Sequence, residues 1–356
     1  MARDKAYREA EQRIKQARRE GAIELDLSSM GLTEVPEAIA SLIQLQTLNL
    51  FGNQLTQLPE AIASLTQLQI LNLSYNELEE LPEAIASLTQ LQMLDLSHNQ
   101  LTQLPEAIAN LTQLQQLYLS GNQLTQLPEA IASLTQLQQL DLSVNQLTEL
   151  PEVIESLTQL QMLKLSSNQL TELPELLGHL TKLKELRVWG NPLTTLPAQI
   201  SELLDLETFS FNSSKITELP ATVFQLKSLK RLDISGYENL TVLSKAIGNL
   251  NKLERLDLTN SKVTSIPEEV GSLGNVKILG LSRNNLIDIP ISLAQLQHLE
   301  QLQLDGNPLN SDLASAYEQG TEAVLQYLRA KAEEQVTLNE AKLILIGEGE
   351  VVEPLP

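Results

Sequence analysis

The single tryptophan of this 356-residue chain, Trp189, stands two residues after Arg187, and Lys164 precedes Arg187 by 23 residues. An indole beside two cations suits an interface anchor: the ring buries a large apolar area and the cations bond a partner's carboxylates or carbonyls. Tyr118, Arg231 and Arg255 fall at strand positions of the same repeating pattern and extend the candidate partner-binding set. The plainer alternative is that Trp189 covers a repeat edge near Pro192 while the arginines pair with Asp233 and Asp257.

A second candidate lies near the end of the chain. Lys342-Leu343-Ile344-Leu345-Ile346 reads as a buried strand and runs into Gly347-Glu348-Gly349-Glu350-Val351. A strand leading into G-x-x-x-x is how a P-loop opens, with backbone N–H groups cradling phosphate and a following Gly-Lys-Ser or Gly-Lys-Thr completing the site. Here Val352-Glu353-Pro354 follows instead. The ammonium and the Mg²⁺-binding hydroxyl are missing, Glu353 repels phosphate, and Pro354 has no N–H to donate. The expectation for the chain as it stands is no nucleotide binding and no catalysis. His98, His179 and His298 fall in different repeats and predict no metal site. The many carboxylates are periodic, which marks solvation rather than acid–base chemistry.

The elements that must position these residues come from one unit. Leu137 to Gln159, LQQLDLSVNQLTELPEVIESLTQ, returns with small changes every 23 residues. Apolar residues hold its first, fourth, sixth and eleventh places (Leu137, Leu140, Leu142, Leu147) and Asn145 its ninth. Such self-similarity predicts a solenoid, about thirteen units between Met30 and Asn307, with one short strand per unit in a parallel sheet. The Leu-Pro step (Leu150-Pro151) ends the strand side and starts a turn or short helix on the return. An inward amide must be hydrogen-bonded. Asn53, Asn76, Asn99, Asn122, Asn145, Asn168, Asn191, Asn284 and Asn307 therefore predict a structural ladder, bonding backbone of their own turn and of the next repeat.

Charge narrows the partners. The net charge is −21, and residues 21–163 carry sixteen acids with no Lys or Arg. Such a body repels phosphate backbones, which argues against nucleic acid. Glu60, Glu83, Glu106, Glu129 and Glu152 follow the prolines and read as a solvated convex face. No cysteine, no apolar run of membrane-spanning length and a charged N-terminus without an apolar core point to the cytoplasm and away from a membrane span.

Residues 1–20 predict an N-terminal capping helix with Tyr7, Ala10, Ile14 and Ala17 on one stripe, and 21–310 the repeats. Residues 311–336 predict a C-terminal capping helix broken at Gly320, with Asn310 or Ser311 as cap, and 337–356 a linker and the half P-loop. Between 205 and 262 the unit degrades. Phe209 and Phe211 replace leucines, Ser214 and Ser261 replace the Asn, Ser244 replaces a proline, and one repeat gains a residue.

The pattern L-x-x-L-x-L-x-x-N-x-L resembles the leucine-rich repeat family. That resemblance implies a curved α/β horseshoe with the parallel sheet on its concave side and helical caps at both ends. With KLILIGEGEV after the repeats and the closing helix, the whole chain resembles the start of a bacterial Roco protein, in which a solenoid precedes a Roc GTPase domain and a COR dimerisation domain. The resemblance implies a non-catalytic interaction and regulatory module, monomeric as an isolated N-terminal portion, that binds partners or its own Roc-COR core. GTP and Mg²⁺, small-GTPase signalling and homodimerisation would belong to the parent protein. The alternative is a free-standing repeat scaffold or effector that binds another protein.

Overall fold

The computed structural model describes residues 2–212, 215, 216, 218–237 and 239–347, with side chains within 5–337. Contacts divide the chain into two units, 1–216 and 217–356.

The first unit begins with α1 (Ala2–Glu20) and continues through nine three-residue strands: β1 Glu24–Asp26, β2 Thr47–Asn49, β3 Ile70–Asn72, β4 Met93–Asp95, β5 Gln116–Tyr118, β6 Gln139–Asp141, β7 Met162–Lys164, β8 Glu185–Arg187 and β9 Thr208–Ser210. Each pairs in parallel with its sequence neighbour in constant register, so Asp95, Tyr118, Asp141, Lys164 and Arg187 stand side by side across successive strands. The central residue of every strand points inward; Leu140 and Leu142 are wholly buried while Asp141 between them is not. Alternation along a strand leaves the third and fifth positions of the unit on the open sheet face.

The return is a single 3₁₀ turn. In the repeat containing β6 it spans Glu152–Ser156, preceded by Pro151 at φ −65° and closed by the Leu157 N–H donating to the Ile154 carbonyl. Proline presets the extended entry and needs no N–H partner there. With Glu in the first turn, the acid meets the positive end of the turn dipole.

Asn145 shows what joins the repeats. Its amide nitrogen donates to the Leu142 carbonyl of its own turn at 3.0 Å and to the Leu119 carbonyl at 2.9 Å, and its oxygen accepts the Leu124 N–H at 3.0 Å. Leu119 and Leu124 lie in the preceding repeat, not the next one, which corrects the direction expected from sequence. The reason is geometric: the amide sits where the chain leaves the strand, against the corner already laid down before it.

Stripe residues Ala10, Ile14 and Ala17 of α1 are buried. Arg13 Nη1 donates to the Asp26 carbonyl at 3.2 Å. The helix lies on the otherwise unpaired first repeat.

The second unit holds β10 Arg231–Asp233, β11 Arg255–Asp257, β12 Ile278–Gly280 and β13 Gln301–Gln303, again parallel and in order, then α2 (Ser311–Tyr317) and α3 (Thr321–Gly347). Asn310 caps α2, its side-chain oxygen accepting the Asp312 and Leu313 N–H groups. Gly320 at φ +104° separates the two helices, a conformation open to glycine and costly for other residues.

Residues 342–346, expected as a strand, instead continue α3, which runs to Gly347. A lone strand has no neighbour to satisfy its backbone, whereas a helix satisfies each N–H and C=O within itself.

The irregular stretch is repaired residue by residue. In the first unit Phe209 and Phe211 are fully buried and stack at 4.7 Å. In the second, Tyr237 fills the ladder position of its repeat, fully buried, and its N–H donates to Ser261 Oγ at 3.2 Å. Ser244 does the work of the absent proline by capping the turn, accepting the Ala246 N–H at 3.3 Å. Ser214 lies outside the described residues.

Candidate functional site

On the sheet face of the first unit, the fifth and seventh positions of each repeat divide into two kinds. Where the fifth is Asp or Asn, its carboxyl or amide oxygen accepts the N–H of the seventh residue: Asp26 from Ser28 at 2.9 Å, Asn72 from Ser74 at 3.0 Å, Asp95 from Ser97 and Asp141 from Ser143 at 2.9 Å. These acids terminate the strand, an Asx-type bond that the sequence reading did not assign. Hydrogen bonding from the Ser28 hydroxyl, and then from this N–H, holds the Asp26 carboxyl below its ordinary value, against a smaller opposing effect of burial.

Lys164 and Arg187 replace that acid in two adjacent repeats, so this link is impossible there and both side chains are released toward solvent. The two are register partners on β7 and β8. Lys164 Nζ lies 3.8 Å from Asp141 Oδ2 on the preceding strand, and Arg187 Nε lies 2.7 Å from Glu185 Oε1 on its own. The first pair is long and the second short, its Glu185 oxygen buried, while the Arg187 side chain itself stays largely exposed. Trp189 follows β8 where most repeats carry serine, and it is 47% exposed. Its carbonyl accepts the Ser167 N–H at 2.8 Å, fixing the backbone while the indole remains uncovered. Lys164, Arg187 and Trp189 are therefore brought together.

Tyr118 is two strands before Lys164 and is not part of that cluster. It sits between Asp95 and Asp141, its hydroxyl 2.6 Å from Gln139 Oε1, and burial followed by these two carboxylates raises its pKa.

Arg231 and Arg255 belong to the second unit, where they are register partners on β10 and β11. Arg255 Nη2 bonds Asp257 Oδ2 at 2.9 Å, whereas among the described residues no ion pair joins Arg231 to Asp233, whose Oδ1 accepts the Ser235 N–H at 3.0 Å. Of the half P-loop, Gly347 ends α3, and Glu348, Gly349, Glu350 and Val351 lie outside the described residues.

A second aromatic feature escaped the sequence reading. Phe51 and Tyr75 meet edge to face at 5.4 Å, and Tyr75 stacks on His98 at 4.2 Å, forming a row across three successive repeats. Tyr75 and His98 hold the eighth position of their units, where Gly52, Gly121 and Gly190 or the non-aromatic Ser29, Val144, Ser167, Asn260 and Arg283 stand in others. Aromatic residues at the seventh and eighth positions of three successive units were the available signal.

The leucine-rich repeat region profile matches residues 62–144, 116–192 and 177–261, and a second leucine-rich repeat profile matches 23–78 and 251–309. Among solved structures, a leucine-rich repeat protein of Leptospira interrogans is 35% identical, with 79% of this chain and 78% of that one covered and a TM-score of 0.69. A plant peptide hormone receptor, determined in complex with a peptide, is 30% identical over 80% of this chain and 47% of that one, TM-score 0.67. An internalin of Listeria monocytogenes shares the fold at 22% identity, covering 84% and 89%, TM-score 0.73. No helix among the described residues is long and apolar enough to cross a membrane. The unbroken match from 23 to 309, together with the strand, asparagine and 3₁₀ geometry of each repeat, means that this chain belongs to the leucine-rich repeat family and is a protein-interaction scaffold.

Proposed function

We propose that the chain is a binding module without catalysis of its own, and that Lys164, Arg187 and Trp189 dock an acidic segment of a protein partner. One observation carries this reading: a half-exposed indole beside two partly exposed cations, at positions where neighbouring repeats place serine and a strand-ending acid. Desolvating an indole and two cations against carboxylates yields both area and specificity. Peptide capture by the similar plant receptor is in keeping with this use of the fold.

In its finer form the proposal makes the chain the cytoplasmic regulatory solenoid of a bacterial Roco GTPase, acting on its own Roc-COR core or on another protein. The residues Lys342 to Val351 support it by resemblance. GTP, Mg²⁺ and dimerisation would then belong to the downstream domains. The second reading, a free-standing scaffold, gains from the helix that occupies 342–346 in place of a strand.

Calorimetric titration of the solenoid against a Roc-COR protein tests the finer form. Binding is expected, weakened at least tenfold by the combined Lys164→Ala, Arg187→Ala and Trp189→Ala substitutions with thermal stability unchanged. Undiminished affinity removes the patch, and no binding to Roc-COR together with capture of acidic peptides decides for the free-standing scaffold.

A further inference from the structure

The row Phe51–Tyr75–His98 is not needed by the fold. The corner at the eighth position is left-handed in every described repeat; glycine supplies it at Gly52, Gly121 and Gly190, with φ between 67° and 70°, and Ser29, Val144, Ser167, Asn260 and Arg283 adopt it with a side chain. Tyr75 and His98 adopt the same corner at φ 57° and 54°, so what sets them apart from those residues is their rings and not their backbone. Their rings gain no core in return: Tyr75 is 53% and Phe51 38% exposed, and His98 is exposed as well. The next repeat leaves them room. A Cβ on Gly121 would stand 2.7 Å from His98 Nδ1, so a side chain there would push the His98 ring from its stack.

Uncovered, mutually stacked rings that fill no core point to a ligand rather than to stability. Charge says which ligand. The three rings rise from the stretch 21–163, which has sixteen acids and no Lys or Arg. On the sheet face beside them Asp95, in the repeat of His98, and Asp141 flank the ring of Tyr118. An anionic surface carrying open aromatic faces attracts cations and repels phosphate. Among cationic side chains, arginine fits best, because the planar guanidinium stacks on a ring and still presents two N–H groups to a carboxylate.

We propose that the Phe51–Tyr75–His98 row, with Asp95 beside Tyr118, is a second docking surface, and that its occupant is an arginine-bearing segment of a protein partner. It is opposite in charge preference to the Lys164–Arg187–Trp189 patch and independent of it.

The test uses the whole chain and labelled nonapeptides of alternating arginine and serine, lysine and serine, or glutamate and serine, with a labelled oligothymidine as fourth probe, read by fluorescence anisotropy. Phe51→Ser, Tyr75→Gly and His98→Ser, combined, install residues that other repeats already carry at the same corner, so the variant folds and its melting temperature is equal or higher. The arginine peptide is expected to bind the native chain at least tenfold more tightly than the lysine peptide, and the triple variant is expected to lose at least tenfold. Equal binding of the lysine peptide, an unaltered arginine affinity in the variant, or preferential binding of the glutamate peptide or the oligothymidine overturns the proposal. Changing Arg187 and Trp189 to alanine, with Lys164 and its pair to Asp141 kept, leaves this binding unchanged, so failure of either surface is seen separately.

Discussion

Asn145 illustrates how much one residue type secures. Three hydrogen bonds of 2.9–3.0 Å tie its buried amide to its own turn and to the preceding repeat. Replacing it by alanine strands one N–H and weakens two carbonyls in an apolar interior, a cost on the order of 3 kcal/mol. Asn145→Ser is expected to cost less, because Ser261 at the matching position still accepts an N–H at 3.2 Å. Urea unfolding of the two variants checks this; equal losses would mean that the acceptor alone contributes nothing. At this scale the asparagine ladder and the leucine core were legible, since both recur and both have only one way to be satisfied. The Asx bonds of Asp95 and Asp141 were not, because an exposed acid on a strand gives no sign in sequence of whether it faces a partner or its own chain.

Among the elements, α3 is the instructive one. Lys342 to Ile346 has the composition of a buried strand, yet it is helical, because strand character is settled by a neighbour and the helix needs none. Its earlier turns are held to the repeat containing β12 by Lys331, whose Nζ lies 2.6 Å from Asp288 Oδ2. That hydrogen bond raises the lysine pKa above its ordinary value, outweighing the opposing effect of burial. A raised folded-state pKa contributes stability that is fully present below the unfolded value of about 10.4 and is lost as pH rises through the folded value. The difference in melting temperature between the native chain and Lys331→Met is therefore expected to stay constant to about pH 10 and to close above it. A difference that persists unchanged into strong alkali would show that the ammonium has no part in docking α3.

Over the whole molecule, stability is additive along the chain. Each repeat meets only its neighbours, so energy is a sum of repeat and interface contributions. Excising residues 114–136, one full period, joins Gln113 to Leu137 in register. The shortened chain is expected to keep the circular dichroism of the native one per residue and to melt a few degrees lower; collapse to an unfolded chain would contradict a nearest-neighbour solenoid. The repeating leucines, prolines and asparagines alone determined the fold class, the number of strands and their parallel order, because a 23-residue period of buried and satisfied positions admits one stacking. Tertiary structure decided the rest. It set the direction of the asparagine bonds, gave the strand-like tail its helical form, placed Lys164 and Arg187 side by side on adjacent strands, and stacked Phe51, Tyr75 and His98 into one row. Residues 23 or more apart in sequence become neighbours about 5 Å apart only when the turns are laid upon each other, and whether a charge is capped or open depends on that contact.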